Sequence, residues 1–181
     1  LMHTIKQANS IKGIIHFAAF KSVPESVADP LLYYHNNMES LVSILCLCRE
    51  KKIRNFIFSF SCSVYGNINT LPVTEKVELL EAESPYAHTK QMGEEVVKSF
   101  TKYIPEFKSV LLRYFNPAGA HPSAKIGELP LGPPTSLVPV ITRTAAGLIP
   151  KMYVHGSNYE TRDGSCIRDY IHVSDIADAH I

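Results

Sequence analysis

Three short, apolar, β-branched and aromatic runs punctuate this chain at helix-length intervals, and that alternation constrains its fold more than any other feature. They are Ile11 to Ala19 (IKGIIHFAA), Asn55 to Phe60 (NFIFSF) and Ser109 to Phe115 (SVLLRYF). Each is nearly continuous in apolar character, which is how a strand buried on both faces of a parallel sheet reads. Between the first two, after a loop with Pro24 and Pro30, the stretch Leu31 to Lys52 places Leu41, Ile44, Leu45 and Cys48 on one helical face. Between the second and third, a polar loop from Asn67 to Glu83 leads to Ser84-Pro85, a helix-opening pair, and a helix running to about Tyr103. Strand, helix, strand, helix, strand predicts an α/β fold with a right-handed, doubly wound parallel sheet, whose ligands bind at the carboxyl ends of the strands.

The remainder is less regular. Asn116 to Pro134 is rich in proline and glycine and too long for a simple connection, which points to a functional loop. A helix from about Leu137 to Leu148, a strand at Met152 to His155 and a strand-to-helix turn from Arg168 to Ala179 complete the expected order. No internal repeat or low-complexity tract interrupts it.

With 18 basic and 17 acidic residues the chain has no electrostatic footprint for nucleic acid or an anionic membrane. No apolar run is long enough to span a bilayer, and Leu1-Met2-His3-Thr4 lacks the basic start of a secretory leader. Cys46, Cys48, Cys62 and Cys166 show no metal-type pairing and read as reduced thiols, so no metal and a cytoplasmic location are expected. The chain starts on Leu1 and stops on Ile181 with no polar tail, the pattern of a piece of a longer protein.

The chemistry-bearing signal is Tyr86-Ala87-His88-Thr89-Lys90. A Tyr and a Lys at i and i+4 on the opening turns of a helix share a face. A phenol is a poor base at neutral pH, but a neighbouring ammonium and a helix N-terminus both favour the phenolate. Upstream, at the end of a buried strand, stands the hydroxyl cluster Ser59-Phe60-Ser61-Cys62-Ser63-Val64-Tyr65-Gly66. Ser61, Tyr86 and Lys90 together make a candidate catalytic triad, with strand-end capping as the plainer role for Ser61 and Ser63. His16, inside an apolar strand, reads as a core histidine.

The stretches IIHFAAFKSVPES, DPLLYYHNN, NFIFSFSCSVYGN, SPYAHTK, LLRYFNPAGAHPS, IGE and RDYIHVSDIADAH follow the order and spacing of the extended short-chain dehydrogenase/reductase family. Within it the chain resembles the isomerase branch of carbohydrate metabolism that epimerises UDP-hexoses at carbon 4. The resemblance implies a Rossmann-type sheet whose first βαβ unit, with its glycine-rich turn, is not among these residues, and NAD as cofactor. It implies that residues 1–116 belong to the NAD-binding domain. Residues 117–181 would be part of a nucleotide-sugar-binding region interleaved with the last sheet elements.

By the same resemblance Tyr86 is the base, Lys90 the cation that supports it and holds the nicotinamide ribose, and Ser61 the partner of the reacting sugar hydroxyl. Phe17, Ala18, Ala19 and Lys21 would line the dinucleotide with Asn36 or Asn37 behind them, and Phe115 would pack near the nicotinamide. Asn116 would bind the nucleotide sugar, Leu137 would touch the uridine, and Arg168 would grip the diphosphate; a structural ion pair with Asp169 is the other reading of Arg168. Phe60 and Cys62 stand where the family has smaller residues, Thr135-Ser136 where it has a pair of asparagines, and His155 where it has a Phe.

The implied reaction is transient oxidation of a UDP-hexose, UDP-glucose or UDP-galactose, to a 4-keto intermediate that takes its hydride back on the other face. It needs one acid/base residue and a retained cofactor. The related 4,6-dehydratases need a carboxylic acid pair that Ser61-Cys62 cannot supply. Without the glycine-rich turn these 181 residues are expected to be inactive alone. The rival readings are a non-catalytic dinucleotide-fold protein and a related nucleotide-sugar epimerase or decarboxylase. The resemblance also implies a homodimer through helices such as that carrying Leu41, Ile44, Leu45, Leu47 and Cys48.

Overall fold

A computed structural model describes residues 11–129 and 132–181, so the expectation drawn from Leu1 to Thr4 and part of the Pro/Gly-rich loop lie outside the described residues. The chain divides into two compact units, Leu1–Arg113 and Tyr114–Ile181.

The first unit contains β1 (Gly13–His16), α1 (Val23–Ala28), α2 (Pro30–Lys51), β2 (Asn55–Ser61), a 3-10 turn (Cys62–Tyr65), α3 (Pro85–Tyr103) and β3 (Lys108–Tyr114). The strands form one sheet in the order β1-β2-β3, with β1 and β2 parallel and His16 level with Phe58. The alternation read from the sequence therefore gives the parallel sheet with helices it predicted. Phe56, Phe58 and Phe60 of β2 are all buried, as is Ser59 between them, and Phe58 meets Phe60 edge-to-face with ring centroids 4.9 Å apart. Phe107 joins Phe56 at 5.8 Å and Phe100 at 4.7 Å, extending this aromatic core. Each such pair adds about 0.5–1.5 kcal/mol beyond the area it buries. Phe60 is thus a packing residue.

Leu41, Ile44, Leu45, Leu47 and Cys48 of α2 are all buried within this unit. They cover the core, and burial pushes the Cys48 thiol up to about 11. Each long helix begins on a side-chain cap followed by proline. Asp29 accepts from the Leu32 amide ahead of Pro30, and Ser84 accepts from the Ala87 amide ahead of Pro85. The segment with Pro24 is not a plain loop: Ser22 accepts from the Glu25 amide and opens the short α1. The buried Tyr33 hydroxyl donates to Glu25 at 2.6 Å and accepts from the Ser22 amide at 2.9 Å, fixing that helix start.

The second unit contains β4 (Asn116–Ala118), α4 (Leu137–Ala145), β5 (Tyr170–His172) and α5 (Val173–Asp178). Strands β4 and β5 pair in parallel with Asn116 beside Tyr170. Gly119, at φ +95° and with the His172 ring close against it, follows β4, a backbone conformation that favours glycine. Two expectations are corrected in this unit. The Pro/Gly-rich loop starts with a strand, because Asn116 to Ala118 finds a partner in β5. Met152 to His155 forms no strand: it pairs with neither β4 nor β5, and its residues are exposed. Lys151 and Tyr153 there make a cation–π contact at 4.8 Å instead, and Tyr153 stacks on His155 at 6.5 Å.

Candidate active site

In the first unit the parallel pairing of β1 and β2 brings the segment Phe17–Lys21 and the end of β2 to the same edge of the sheet. Phe17, Ala18 and Lys21 are exposed there, and Ala19 is half-buried. Ser61 is the last residue of β2 and caps the 3-10 turn: its hydroxyl accepts from the Ser63 amide at 3.3 Å. The Ser63 hydroxyl oxygen is buried without a hydrogen-bond partner. The capping role weighed for Ser61 is therefore present, and it leaves the hydroxyl hydrogen free to donate elsewhere.

Helix α3 lies against this end of the sheet and turns Tyr86 and Lys90 to one face. The Lys90 ammonium is buried, 5.9 Å from the centroid of the Tyr86 ring and 5.1 Å from that of Phe58. It donates to the Ser59 carbonyl at 3.3 Å, two residues before Ser61. Burial pushes its pKa down to about 8, so it stays mostly charged at neutral pH. Its charge reaches His16: burial first, and Lys90 second, hold that imidazole near 4 and therefore neutral. His16 packs against Phe56 and Phe58 with centroids 6.1 and 5.4 Å away, a core histidine as read from the sequence.

The two asparagines behind the β1 loop divide their work. Asn37 is buried, and its carbonyl accepts from the Phe20 amide at 2.8 Å and from the Asn36 amide group at 3.0 Å. Its own amide donates to the Phe20 carbonyl at 3.2 Å and to the Thr89 hydroxyl at 3.1 Å. Thr89 in turn donates to the Tyr86 carbonyl at 2.8 Å. Asn37 thus ties the β1 loop to the turn of α3 that carries Tyr86. Asn36 is half-buried, and after its bond to Asn37 it has one amide hydrogen left over.

In the second unit Phe115 and Asn116 are half-buried where β4 begins, and both the backbone and side-chain N–H of Asn116 donate to the Asp169 carbonyl, at 3.2 and 2.8 Å. Leu137 opens α4, whose cap residue Ser136 makes no side-chain bond. Arg168 is exposed and donates to the Ile167 carbonyl at 2.8 Å.

Sequence reasoning missed the residues that hold α3 in place. Glu94 is buried, forms a two-armed ion pair with Arg113 of β3 (one arm 2.9 Å), and also pairs with Lys98. Burial alone would raise the Glu94 carboxyl, but the hydrogen bonds from Arg113 and Lys98 outweigh it and hold the group below its ordinary value. Arg113 lies over the Tyr65 ring at 5.1 Å. Gln91 donates to the carbonyls of Val64 at 2.8 Å and Leu80 at 2.7 Å. The one signal available was the spacing of Tyr86, Lys90 and Glu94, every fourth residue, along a single helical stripe.

Among the described residues no group of His, Cys, Asp or Glu is placed to hold a metal ion, and no helix is long and apolar enough to cross a membrane. The UDP-glucose 4-epimerase of Caenorhabditis elegans is 45% identical over 174 residues, covering 96% of this chain and 50% of that protein. That of Yersinia enterocolitica is 46% identical over 180 residues, with 98% and 53% covered. The chain spans about half the length of the curated relatives it matches. In structure it is similar to the UDP-glucose 4-epimerase of Bifidobacterium longum in complex with NAD+ and UDP, with a TM-score of 0.94 at 40% identity over 99% of this chain and 53% of that one. The Stenotrophomonas maltophila enzyme with bound NAD and formylated UDP-arabinopyranose gives 0.91 at 42% identity over 99% and 53%. The model of the NAD dependent epimerase/dehydratase family matches residues 1–181, so the Tyr86–Lys90 helix and the strand end it faces belong, with the whole chain, to that family.

Proposed function

We propose that this chain is the part of a UDP-hexose 4-epimerase, an isomerase, that carries the acid/base residues. The observation that carries the reading is the buried Lys90 ammonium, set between the Tyr86 ring and the Ser59 carbonyl. A cation is costly to bury with a single acceptor, and one acceptor leaves two of its three N–H groups for a ligand. Ribose hydroxyls suit those two donors, as the exposed Phe17, Ala18 and Lys21 with the half-buried Ala19 suit a dinucleotide. NAD, when bound, supplies the hydride exchange at carbon 4 of the sugar.

The chain's own residues handle the proton. Tyr86 accepts the proton of the sugar 4-hydroxyl and returns it, Lys90 stabilises the charge on its phenolate, and Ser61 hydrogen-bonds the reacting oxygen. Asn36 and Asn37 back the cofactor segment. In the other unit Phe115 is assigned to the nicotinamide side, and Asn116, Leu137 and Arg168 to the UDP moiety. Arg168 suits a diphosphate because a guanidinium meets phosphate oxygens in pairs. We assign residues 1–116 to the NAD-binding domain, Asn116 at its end being a residue for the sugar, and 117–181 to the nucleotide-sugar-binding region.

The reading includes a homodimer and a cytoplasmic location. With the apolar stripe of α2 turned inward, the exposed Leu31, Leu32 and Val42 of α2 and Tyr103 of α3 are among the apolar positions left for a partner. The four cysteines are free, which suits a reducing compartment.

The test is conversion of UDP-galactose to UDP-glucose by the protein at the length its gene encodes, beside a Tyr86→Phe control. Conversion that disappears in the control supports the assignment. A folded, NAD-containing protein that converts neither sugar overturns it.

A further inference from the structure

Ser61 stands at the start of a turn whose position nothing in β2 alone determines. The 3-10 turn Cys62–Tyr65 follows it, and the chain then departs through Gly66, at φ +69°, into the loop that ends at α3. The returning part of that loop lies directly on the turn. The Leu80 amide donates to the Tyr65 carbonyl at 3.3 Å, and a Cβ on Gly66 would come within 2.7 Å of the Glu81 carbonyl. Turn and returning loop are thus zipped together, and one side chain pins both to the catalytic helix. The Gln91 amide nitrogen spends its two hydrogens on Val64 and Leu80, one on each side of the zipper. Gln91 directly follows Lys90 on α3, and a rigid helix connects it to Tyr86.

We infer that Gln91 is a positioning residue for the proposed epimerase, holding the Ser61 turn at a fixed distance from Tyr86 without touching substrate or cofactor. The inference rests on the epimerase reading above. Ser61 and Tyr86 come from different elements, and both must meet one sugar oxygen. A displacement of about 1 Å between such groups costs up to about a hundredfold in rate.

The experiment uses the NAD-containing protein at the length its gene encodes, with Gln91→Met, which keeps length and removes both donors, and Gln91→Lys, which restores donors. Gln91→Met is expected to lower kcat by about tenfold or more with KM for UDP-galactose within about twofold, and Gln91→Lys to recover most of kcat. A purely structural role would lower the melting temperature and the folded yield but leave kcat per folded site unchanged, and that result overturns the proposal. Should Gln91→Met not fold, Gln91→Glu replaces it, with the same shape and the wrong charge towards two carbonyls, and the same loss of kcat is expected. If the wild type itself epimerises nothing, the epimerase reading fails separately. The positioning claim is then decided by the crystal structure of the variant: Ser61 displaced from Tyr86 by about 0.5 Å or more sustains it, and an unmoved Ser61 overturns it.

Discussion

The Lys90 ammonium donates to the Ser59 carbonyl across 3.3 Å in a buried setting, with the Phe58 ring on one side and the Tyr86 ring on another. That single lysine connects α3 to the strand end that carries Ser61. It is also an unfavourable place for a charge.

Burial lowers Lys90 from 10.5 to about 8, so folding at neutral pH carries the cost of desolvating an ammonium. Lys90→Met keeps the stem and removes the charge; it is expected to abolish the proposed epimerisation and to raise stability by about 1–3 kcal/mol at pH 7. Between pH 8 and 10.5 the unfolded chain holds a proton that the native protein has released, so wild-type stability gains with rising pH relative to the variant. Urea unfolding of both proteins at pH 7 and pH 9.5 checks this, and the gap should narrow at the higher pH. A variant less stable than wild type at pH 7 would show that the Ser59 bond outweighs the desolvation.

His16 gives a pH dependence at the other end of the scale. Its native value near 4 lies below the ordinary 6.5, because it is buried among Phe56 and Phe58 and faces Lys90. From pH 6.5 down to 4 the unfolded state binds a proton that the native state does not, and stability falls by about 2–3 kcal/mol over that window. His16→Phe, which fits the same aromatic stack, should remove that share of the acid sensitivity. Thermal unfolding at pH 7 and pH 4.5 measures it; equal acid losses in both proteins would place the sensitivity elsewhere.

Helices were legible in this sequence because their signals are local. Ser84-Pro85 marks the start of α3, and the Ser84 side chain does cap it; Asp29 caps α2 in the same way ahead of Pro30, which reads in the sequence as part of a loop. The same chemistry at Ser22, Pro24 and Glu25 opens α1 but was masked by two nearby prolines that suggested a loop. Strand formation depends on partners far along the chain, which is why β4 was missed and Met152 to His155 was wrongly read as a strand. Asn116 has poor strand propensity and pairs because Tyr170 is beside it, whereas Val154 has good propensity and finds no partner. Tyr86, Lys90 and Ser61 were readable as residue types at recurring spacings. Gln91 and Arg113 were not, and Glu94 only as the next step of that spacing, because their roles depend on what α3 faces after folding.

Glu94 and Arg113 couple α3 to β3 through a buried ion pair. Glu94→Gln keeps the shape and strands a buried guanidinium without its counter-charge, and should destabilise by about 3 kcal/mol or more. Replacing both partners, as in Glu94→Leu with Arg113→Met, should recover much of that loss, because the desolvated charges disappear together. Denaturant midpoints of Glu94→Leu, Arg113→Met and the double variant decide the matter; strictly additive losses would mean that the two residues act independently.

Helix α2 ends on Lys52, a non-glycine residue held at φ 55° and ψ 37° in the left-handed region. The conformation lets its amide bond back to the Arg49 and Cys48 carbonyls and lets the Ile53 amide reach the Cys48 carbonyl at 2.9 Å, closing the helix before β2. A Cβ in this region costs about 1 kcal/mol, and the Lys52 side chain is exposed, so little packing is lost with it. Lys52→Gly should therefore stabilise the protein by about 1 kcal/mol, a rise in Tm of about 2–4 °C, whereas Lys52→Ala keeps the Cβ and should change little. Calorimetry on the two variants separates the causes: equal shifts would assign the effect to the lost charge, and a shift confined to glycine assigns it to the backbone.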